Sequence, residues 1–273
     1  METKEWSKLW YNPQLKIQTY QAVCIKHGFP LHMHDYYVVC LVEWGLQSFS
    51  HRRVKHLTPP GGLILLNPGD DHTGEPADEN GFEYRALYPT LTHMRDVMFE
   101  LTEKEQEPPH FSNIRVDNPE LTRAIRTLHL SLLNPISTLE SESLLLTVLA
   151  KLVVEQNSKY TTVQIPKKER YAVQKACGYI CEHATEGITL TEVAKEVGFS
   201  RYYLMRVFRE EMGMPPYAYL ESVRISMAKK LLEAGLPLTQ VASELGFSDQ
   251  SHFTNCFKRF IGVTPGQYVL EVT

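Results

Sequence analysis

The chain has 273 residues, 43% hydrophobic and 22% charged, an ordinary composition for a soluble protein with enough length for two separate cores. Its longest apolar runs, such as "LLLTVLAKLVV", are too short and interrupted to span a bilayer, and the charged start "METKEWSKLWYNPQ" lacks the core of a signal peptide, so a cytoplasmic protein is expected. Net charge is −4, unevenly spread: residues 167–273 carry 13 Lys/Arg against 12 Asp/Glu, so the overall sign neither demands nor excludes a nucleic-acid partner.

From the N-terminus, the first ~110 residues alternate and turn like β structure. "YYVVCLVEW" (36–44) is aromatic and β-branched, "LQSFSHRRVKHL" alternates, and "LILLN" sits between the turn clusters "TPPGG" and "NPGDD". Short strands at this spacing predict a sandwich or barrel over 1–117. Helices follow. "NPELTRAIRTLHLSLLN" (118–134) opens on an Asn cap with Pro at the first helical position, and "STLESESLLLTVLAKLVVEQN" (137–157) opens on a capping box of Ser137 and Glu140. These two amphipathic helices are expected to cover the β domain or to pair two subunits as a homodimer. "SKYTTVQIPKKE" (158–169) is polar and predicts a linker. The five cysteines have no framework spacing and fit reduced thiols; Cys177 and Cys181 are expected as buried small residues on a helix.

Residues 170–273 are helical throughout and contain a repeat. "ITLTEVAKEVGFSRYYLMRVFREEMGMPPYAY" (188–219) aligns with "LPLTQVASELGFSDQSHFTNCFKRFIGVTPGQY" (236–268), with one residue inserted after the second serine. Each copy has the layout helix, tight turn, helix. Gly198 and Gly246 end the first helix, Ser200 and Ser248 are placed to cap the second, and Ala194 and Ala242 permit a close crossing. That is the helix-turn-helix, whose second helix fits the DNA major groove. With Leu204, Val207, Phe208, Phe253 and Phe257 buried, the outward positions are Tyr202, Met205 and Arg206 in the first copy and Gln250, Ser251, Thr254 and Asn255 in the second. Arg suits guanine edges, Asn and Gln suit adenine, and an aromatic ring or thioether packs on thymine methyls. Arg201, Arg209, Lys258 and Arg259 flank these positions, where phosphates are expected. "PPYAYLESVRISMAKKLLEAG" (215–235) predicts a long helix able to set two recognition helices about one DNA turn, ~34 Å, apart.

Residues 170–270 resemble the DNA-binding domain of the AraC/XylS family of bacterial transcription regulators, the second copy and the spacer "YLESVRISMAKKLL" most closely. "GFPLHMHDYYVVCLVEWG" followed by "GGLILLNPGDDHTGEP" is similar to the cupin-like sensor domain of many such regulators. The resemblance implies a two-domain α+β protein: an N-terminal cupin-like β-barrel with two following helices, and an all-α domain with two helix-turn-helix motifs joined by a long helix. It implies promoter DNA as partner, with RNA polymerase, and the role of activator.

In "LHMHDYY" (31–37), His32 and His34 fall on one face of a strand. Enzymatic cupins supply a His-x-His pair, a glutamate and a later histidine to one metal. Here His32, His34 and His72 match, but the glutamate position falls at the apolar Val38 or Val39. Three readings stand. The imidazoles hold a metal, line an effector pocket with Tyr36, Trp44, Arg52 and Tyr84, or are hydrogen-bonded barrel residues. The effector pocket is preferred, with no metal, no cofactor and no enzyme activity, and with a sugar, amino acid or carboxylate as ligand. Effector occupancy would then alter how the barrel, or segment 1–20, meets the DNA-binding domain. The rivals are a metal-dependent cupin enzyme fused to a DNA-binding domain, and a regulator controlled by a protein partner.

Overall fold

The computed structural model describes residues 4–134, 137–156 and 169–272; the expected linker, 158–169, lies outside the described residues except for Glu169. The chain divides into two compact units, one of 1–133 with 146–161 and one of 134–145 with 162–273. Among the described residues no helix is long and apolar enough to cross a membrane.

Short strands, some alternating and some buried on both faces, build the first unit. Its strands are β1 (Trp6–Asn12), β2 (Ile17–Cys24), β3 (Phe29–His32), β4 (Val38–Gly45), β5 (Gln47–His51), β6 (Val54–Thr58), β7 (Leu63–Leu66), β8 (His72–Pro76) and β9 (Phe82–Tyr88). Helix α1 (Leu91–Thr102) and the two-residue β10 (Arg115–Val116) complete it before the helices that follow. The strands form two antiparallel sheets, β1-β2-β9-β4-β7-β10 and β3-β8-β5-β6. Residues 6–12, part of the segment expected to act in switching, are the edge strand of the larger sheet, paired with β2 from Trp6↔Val23 to Asn12↔Ile17. Every residue from Val38 to Val42 is buried. This continuous apolar run follows from a strand covered on both faces. Val38 and Cys40 face the interior between the sheets, and Glu43 on the opposite face meets helix α2 (Pro119–Leu133).

The expected Asn118 cap of α2 is present, its Oδ1 accepting from the Glu120 and Leu121 amides. The helix lies on the larger sheet. Thr122 Oγ1 donates to the Gly61 carbonyl at 2.8 Å, and Arg126 binds both oxygens of Glu43 while Arg85 donates to the same carboxylate at 2.8 Å. Burial disfavours charge on Glu43, but the two guanidiniums outweigh it and hold the carboxyl below its ordinary pKa. Helix α3 (Thr138–Gln156) follows, begun at Ser137 as expected, with Ser137 Oγ accepting from the Glu140 amide. Helix α1 falls within the stretch expected to be β. Its start is a capping box in which Thr90 pairs with His93 instead of a glutamate, a substitution that conceals the signal.

Besides the start of α3, the second unit contains the helices α4 (Arg170–Glu182), α5 (Leu190–Val197), α6 (Arg201–Met212), α7 (Pro216–Glu233), α8 (Leu238–Glu244), α9 (Gln250–Ile261) and α10 (Pro265–Val272). Both expected turns are present, with Gly198 at φ 72° and Gly246 at φ 68°. A Cβ on Gly246 would stand 2.8 Å from the Thr185 carbonyl oxygen, so this glycine meets a close approach as well as a left-handed backbone. Ser200 caps α6 as expected, but Asp249 caps α9, accepting from the His252 amide at 2.7 Å. The inserted residue moves the cap one place along, and Ser248 instead meets His252 Nδ1 at 3.0 Å. Cys177 is half-buried and Cys181 exposed, against the expectation that both are buried.

Arg224, 2% exposed on α7, joins the two copies. Its guanidinium donates to the carbonyls of Ala184 (2.7 Å) and Glu186 (2.9 Å) before α5, and of Gly246 (2.8 Å) between α8 and α9. Arg224→Ala leaves three carbonyls without this donor. A loss of about 3 kcal/mol or more is expected in urea unfolding followed by far-ultraviolet circular dichroism, against under about 1 kcal/mol for the exposed Lys230→Ala.

Candidate functional site

Two surfaces concentrate chemistry. The first is a cavity of about 300 Å³ between the two sheets. Leu31, Met33 and Asp35 are exposed while His32, His34 and Tyr36 turn inward, so the period of two continues past the end of β3. His72 lies opposite His32 across the β3–β8 pairing and opposite His51 across β5–β8. His34 is tied to the same region through its carbonyl, which accepts from the Gly69 amide at 2.8 Å. The three imidazoles therefore converge, with ring centroids 4.8 Å (His32–His34), 4.3 Å (His32–His72) and 5.3 Å (His34–His72) apart.

The turn Asn67–Asp70 fixes His72. Asp70 Oδ2 accepts from the Asn67 amide (2.8 Å) and from Asn67 Nδ2 (2.9 Å), while Asn67 also exchanges hydrogen bonds with the Phe111 backbone. The Asp70 carbonyl in turn faces His72 Nδ1 at 3.1 Å, and the Pro30 carbonyl faces His32 Nδ1 at 2.7 Å. A carbonyl accepts only, so Nδ1 is the donor on both rings. Burial, then the neighbouring His32 and His72, lower the His34 pKa to about 4. Burial likewise lowers His72.

Of the expected pocket residues, His32, His34, Tyr36, His72 and Tyr84 line the cavity. Trp44 and Arg52 do not. Trp44 is 43% exposed and lies where the β4–β9 register shifts, which turns it out of the alternation. Arg52 occupies the turn between β5 and β6 at φ 49° and points to Asp70 Oδ1, 3.6 Å away, on the exposed side. Among the described residues, none that lines the cavity is an arginine, lysine, aspartate or glutamate. Tyr20, Gln47 and Tyr88 also line it and escaped the sequence reading. Tyr88 was within reach, four residues after Tyr84 on the same strand face. Tyr36 stacks on His34 at 4.7 Å and meets Tyr88 at 5.1 Å. Burial, then Asp35, raise Tyr36, and burial pushes Tyr84 and Tyr88 well above the ordinary phenol, so all three are neutral donors at neutral pH.

The second surface is the outward side of α6 and α9. On α9, Gln250, Ser251, Asn255, Lys258 and Arg259 are exposed and Thr254 half-buried, while Phe253, Cys256 and Phe257 form the core side. On α6, Arg209 is exposed and Arg201, Tyr202 and Arg206 are half-buried, Arg206 lying over the Tyr202 ring at 5.9 Å. Met205, expected outward, is only 7% exposed and joins Leu204, Val207 and Phe208 in a wider buried stripe. Arg259, expected at phosphate, is drawn to the buried Glu221 with its guanidinium 2.6 Å from Oε2.

Residues 184–270 match a family described as a helix-turn-helix domain, and residues 17–149 match the AraC-like ligand binding domain. An HTH-type transcriptional regulator of Bacillus subtilis (strain 168), YbfI, is 34% identical over 241 residues, covering 88% of this chain and 87% of its own. The chain belongs to the AraC family. The arabinose operon regulatory protein of Escherichia coli (strain K12) is 35% identical over 98 residues, 35% of this chain and 34% of that protein. Among solved structures, an apo ToxT variant from Vibrio cholerae covers 96% of this chain and 99% of its own at 15% identity, with a TM-score of 0.43. This AraC-family chain is thus a transcription regulator with an N-terminal ligand-binding domain and a helix-turn-helix DNA-binding domain. The cavity belongs to the former and the outward side of α6 and α9 to the latter.

The Asn67 amide holds the regulator's cavity together at its His72 edge. Asn67→Ala removes three buried side-chain hydrogen bonds and should cost about 2–4 kcal/mol, read as a lowered midpoint of thermal unfolding.

Proposed function

We propose that the cavity between the sheets binds a small polar effector and that its occupancy controls promoter binding by the tandem helix-turn-helix domain, with activation of transcription as the outcome. The observation that carries this reading is a cavity lined by three imidazoles and several neutral phenols in the ligand-binding domain of a DNA-binding chain. A volume of about 300 Å³ is at the small end of ligand pockets and fits a compact metabolite. The described lining carries no arginine or lysine, which favours a ligand rich in hydroxyls over a carboxylate paired directly with a side chain. Differential affinity of the effector for two arrangements of the regulator supplies the switch.

On the DNA side, Gln250, Ser251, Thr254 and Asn255 of α9, with Tyr202 and Arg206 of α6, are assigned to base edges. Arg201, Arg209 and Lys258 are assigned to phosphates. Arg259 is kept in that set through its exposed side, although Glu221 holds part of its charge. Met205 supports the α6 stripe. The regulator acts as a homodimer and recruits RNA polymerase at the promoter.

Arg206→Ala should weaken binding to the selected site by about 1–3 kcal/mol and relax preference at one base position, measured by binding to a library of single-base variants. An equal loss on every sequence removes Arg206 from the base-reading set. Lys258→Ala should weaken binding on all sequences and shrink the salt dependence, the slope of log K against log salt falling by about 0.9 for each phosphate no longer neutralised. A thermal-shift screen of metabolites against the full chain tests the cavity, and a ligand whose shift persists when Tyr36 and Tyr84 are both changed to Phe counts against it.

A further inference from the structure

We propose that Glu221, His252 and Cys256 bind one divalent first-row transition-metal ion, which ties the second recognition helix, α9, to the spacer helix α7. Each of the three residues offers a ligand atom, and these atoms lie within 4.8 Å of one another. His252 and Cys256 are four residues apart on α9 and so stand on one helix face, a spacing at which a helix gives two ligands to one ion. Glu221, 4% exposed, reaches them from α7, its Oε1 accepting from the Cys256 thiol at 2.7 Å. A tetrahedral ion with bonds of ~2.3 Å to sulfur and ~2.1 Å to oxygen sets those two atoms ~3.5 Å apart, so its entry opens the contact by under ~1 Å. Two of the ligands are supported from behind. The Arg259 guanidinium lies 2.6 Å from Glu221 Oε2, the oxygen that the thiol does not use, and Ser248 Oγ meets His252 Nδ1 at 3.0 Å. Outer partners of this kind orient metal ligands.

The repeat itself does not call for these residues. With Phe208 equivalent to Phe257, the positions of His252 and Cys256 correspond to Tyr203 and Val207 in the first copy. An aromatic ring and an aliphatic side chain serve the packing there, whereas the second copy places an imidazole and a thiol beside a buried carboxylate, against the core of Phe253 and Phe257. The donor set chooses the kind of ion. A thiolate, an imidazole and a carboxylate suit zinc or cobalt and not the oxygen-seeking magnesium or calcium. Binding exchanges the thiol proton, released to water, for the ion, and thiolate and carboxylate then balance its two charges. Glu221 no longer holds the charge of Arg259, which is freed for a phosphate. Metal loading therefore strengthens DNA binding. This last step alone rests on the DNA-binding reading of Arg259.

The test uses the full chain, reduced, stripped by a chelator and titrated with cobalt. A thiolate ligand gives a sulfur-to-cobalt charge-transfer band, which the imidazoles of the first unit cannot produce. The band is expected in the unaltered chain and in a Cys177→Ser, Cys181→Ser double variant, to disappear when zinc displaces cobalt, and to be missing in Cys256→Ser. His252→Gln should weaken cobalt binding roughly 100-fold, the upper end of what loss of an outer partner alone costs. It carries the test if circular dichroism shows that Cys256→Ser does not fold. No band, a band that persists in Cys256→Ser, or unchanged affinity in His252→Gln overturns the site. So does a dissociation constant weaker than ~100 µM. Zinc should also steepen the salt dependence of promoter binding, by about 0.9 for the phosphate that Arg259 gains. An unchanged slope overturns the release of Arg259, while the cobalt band decides the site by itself.

Discussion

The second unit depends on one buried guanidinium. Arg224 is the shared hydrogen-bond donor for the chain entering α5 and for the turn between α8 and α9. An arginine carries five N–H groups in a rigid fork, so three carbonyls met at once fix its plane and, with it, the angle between the two helix-turn-helix copies. The Phe247 ring lies 5.7 Å from the same guanidinium. Gly246 has no Cβ because that guanidinium and the Thr185 carbonyl occupy the space. Spacing between the recognition helices is therefore set by polar chemistry at the centre of the domain, with α7, 18 residues and ~27 Å long, as the rod.

The first unit depends on a different arrangement. Between two antiparallel sheets, alternation sends every second residue of β4, β7 and β9 inward, and a cavity remains between the small or aliphatic Val38, Cys40, Ile64, Leu66 and Ala86 and the rings of Tyr84 and Tyr88. The three imidazoles enter where the strands end. His32 closes β3, His72 opens β8, and His34 and Tyr36 lie in the connection between β3 and β4. The rigid parts of the sheets hold the apolar wall, and the tethered turn at Asn67–Asp70 places the polar corner.

Much of this was legible in the chain. The duplication was visible because glycine, alanine and phenylalanine recur at one spacing, and those residues carry backbone and packing constraints that few others satisfy. The inward alternation of His32, His34 and Tyr36 was legible for the same reason. Four features were not. Helix α1 hid because His93 replaces the acid of a capping box. Trp44 and Arg52 were placed in the cavity because a register shift and a left-handed turn leave no mark in residue type. Met205 was placed outward because an apolar stripe is judged from helical spacing alone, while its actual width depends on neighbours distant in sequence. The role of Asn67 was equally hidden, since its partner Phe111 is 44 residues away.

The extra residue between Gly246 and α9 has a consequence for the history of the domain. After duplication the two copies were free to diverge, and a single insertion in the second turn would have rotated α9 by about 100° had Ser248 remained the cap. Asp249 took over the cap and absorbed the shift, leaving Phe253 and Phe257 in their core positions. Each copy thus drifts at its outward residues without disturbing the other, because they share a scaffold and not a surface. A regulator built this way can exchange half of its target vocabulary while the other half keeps it anchored at the same promoter.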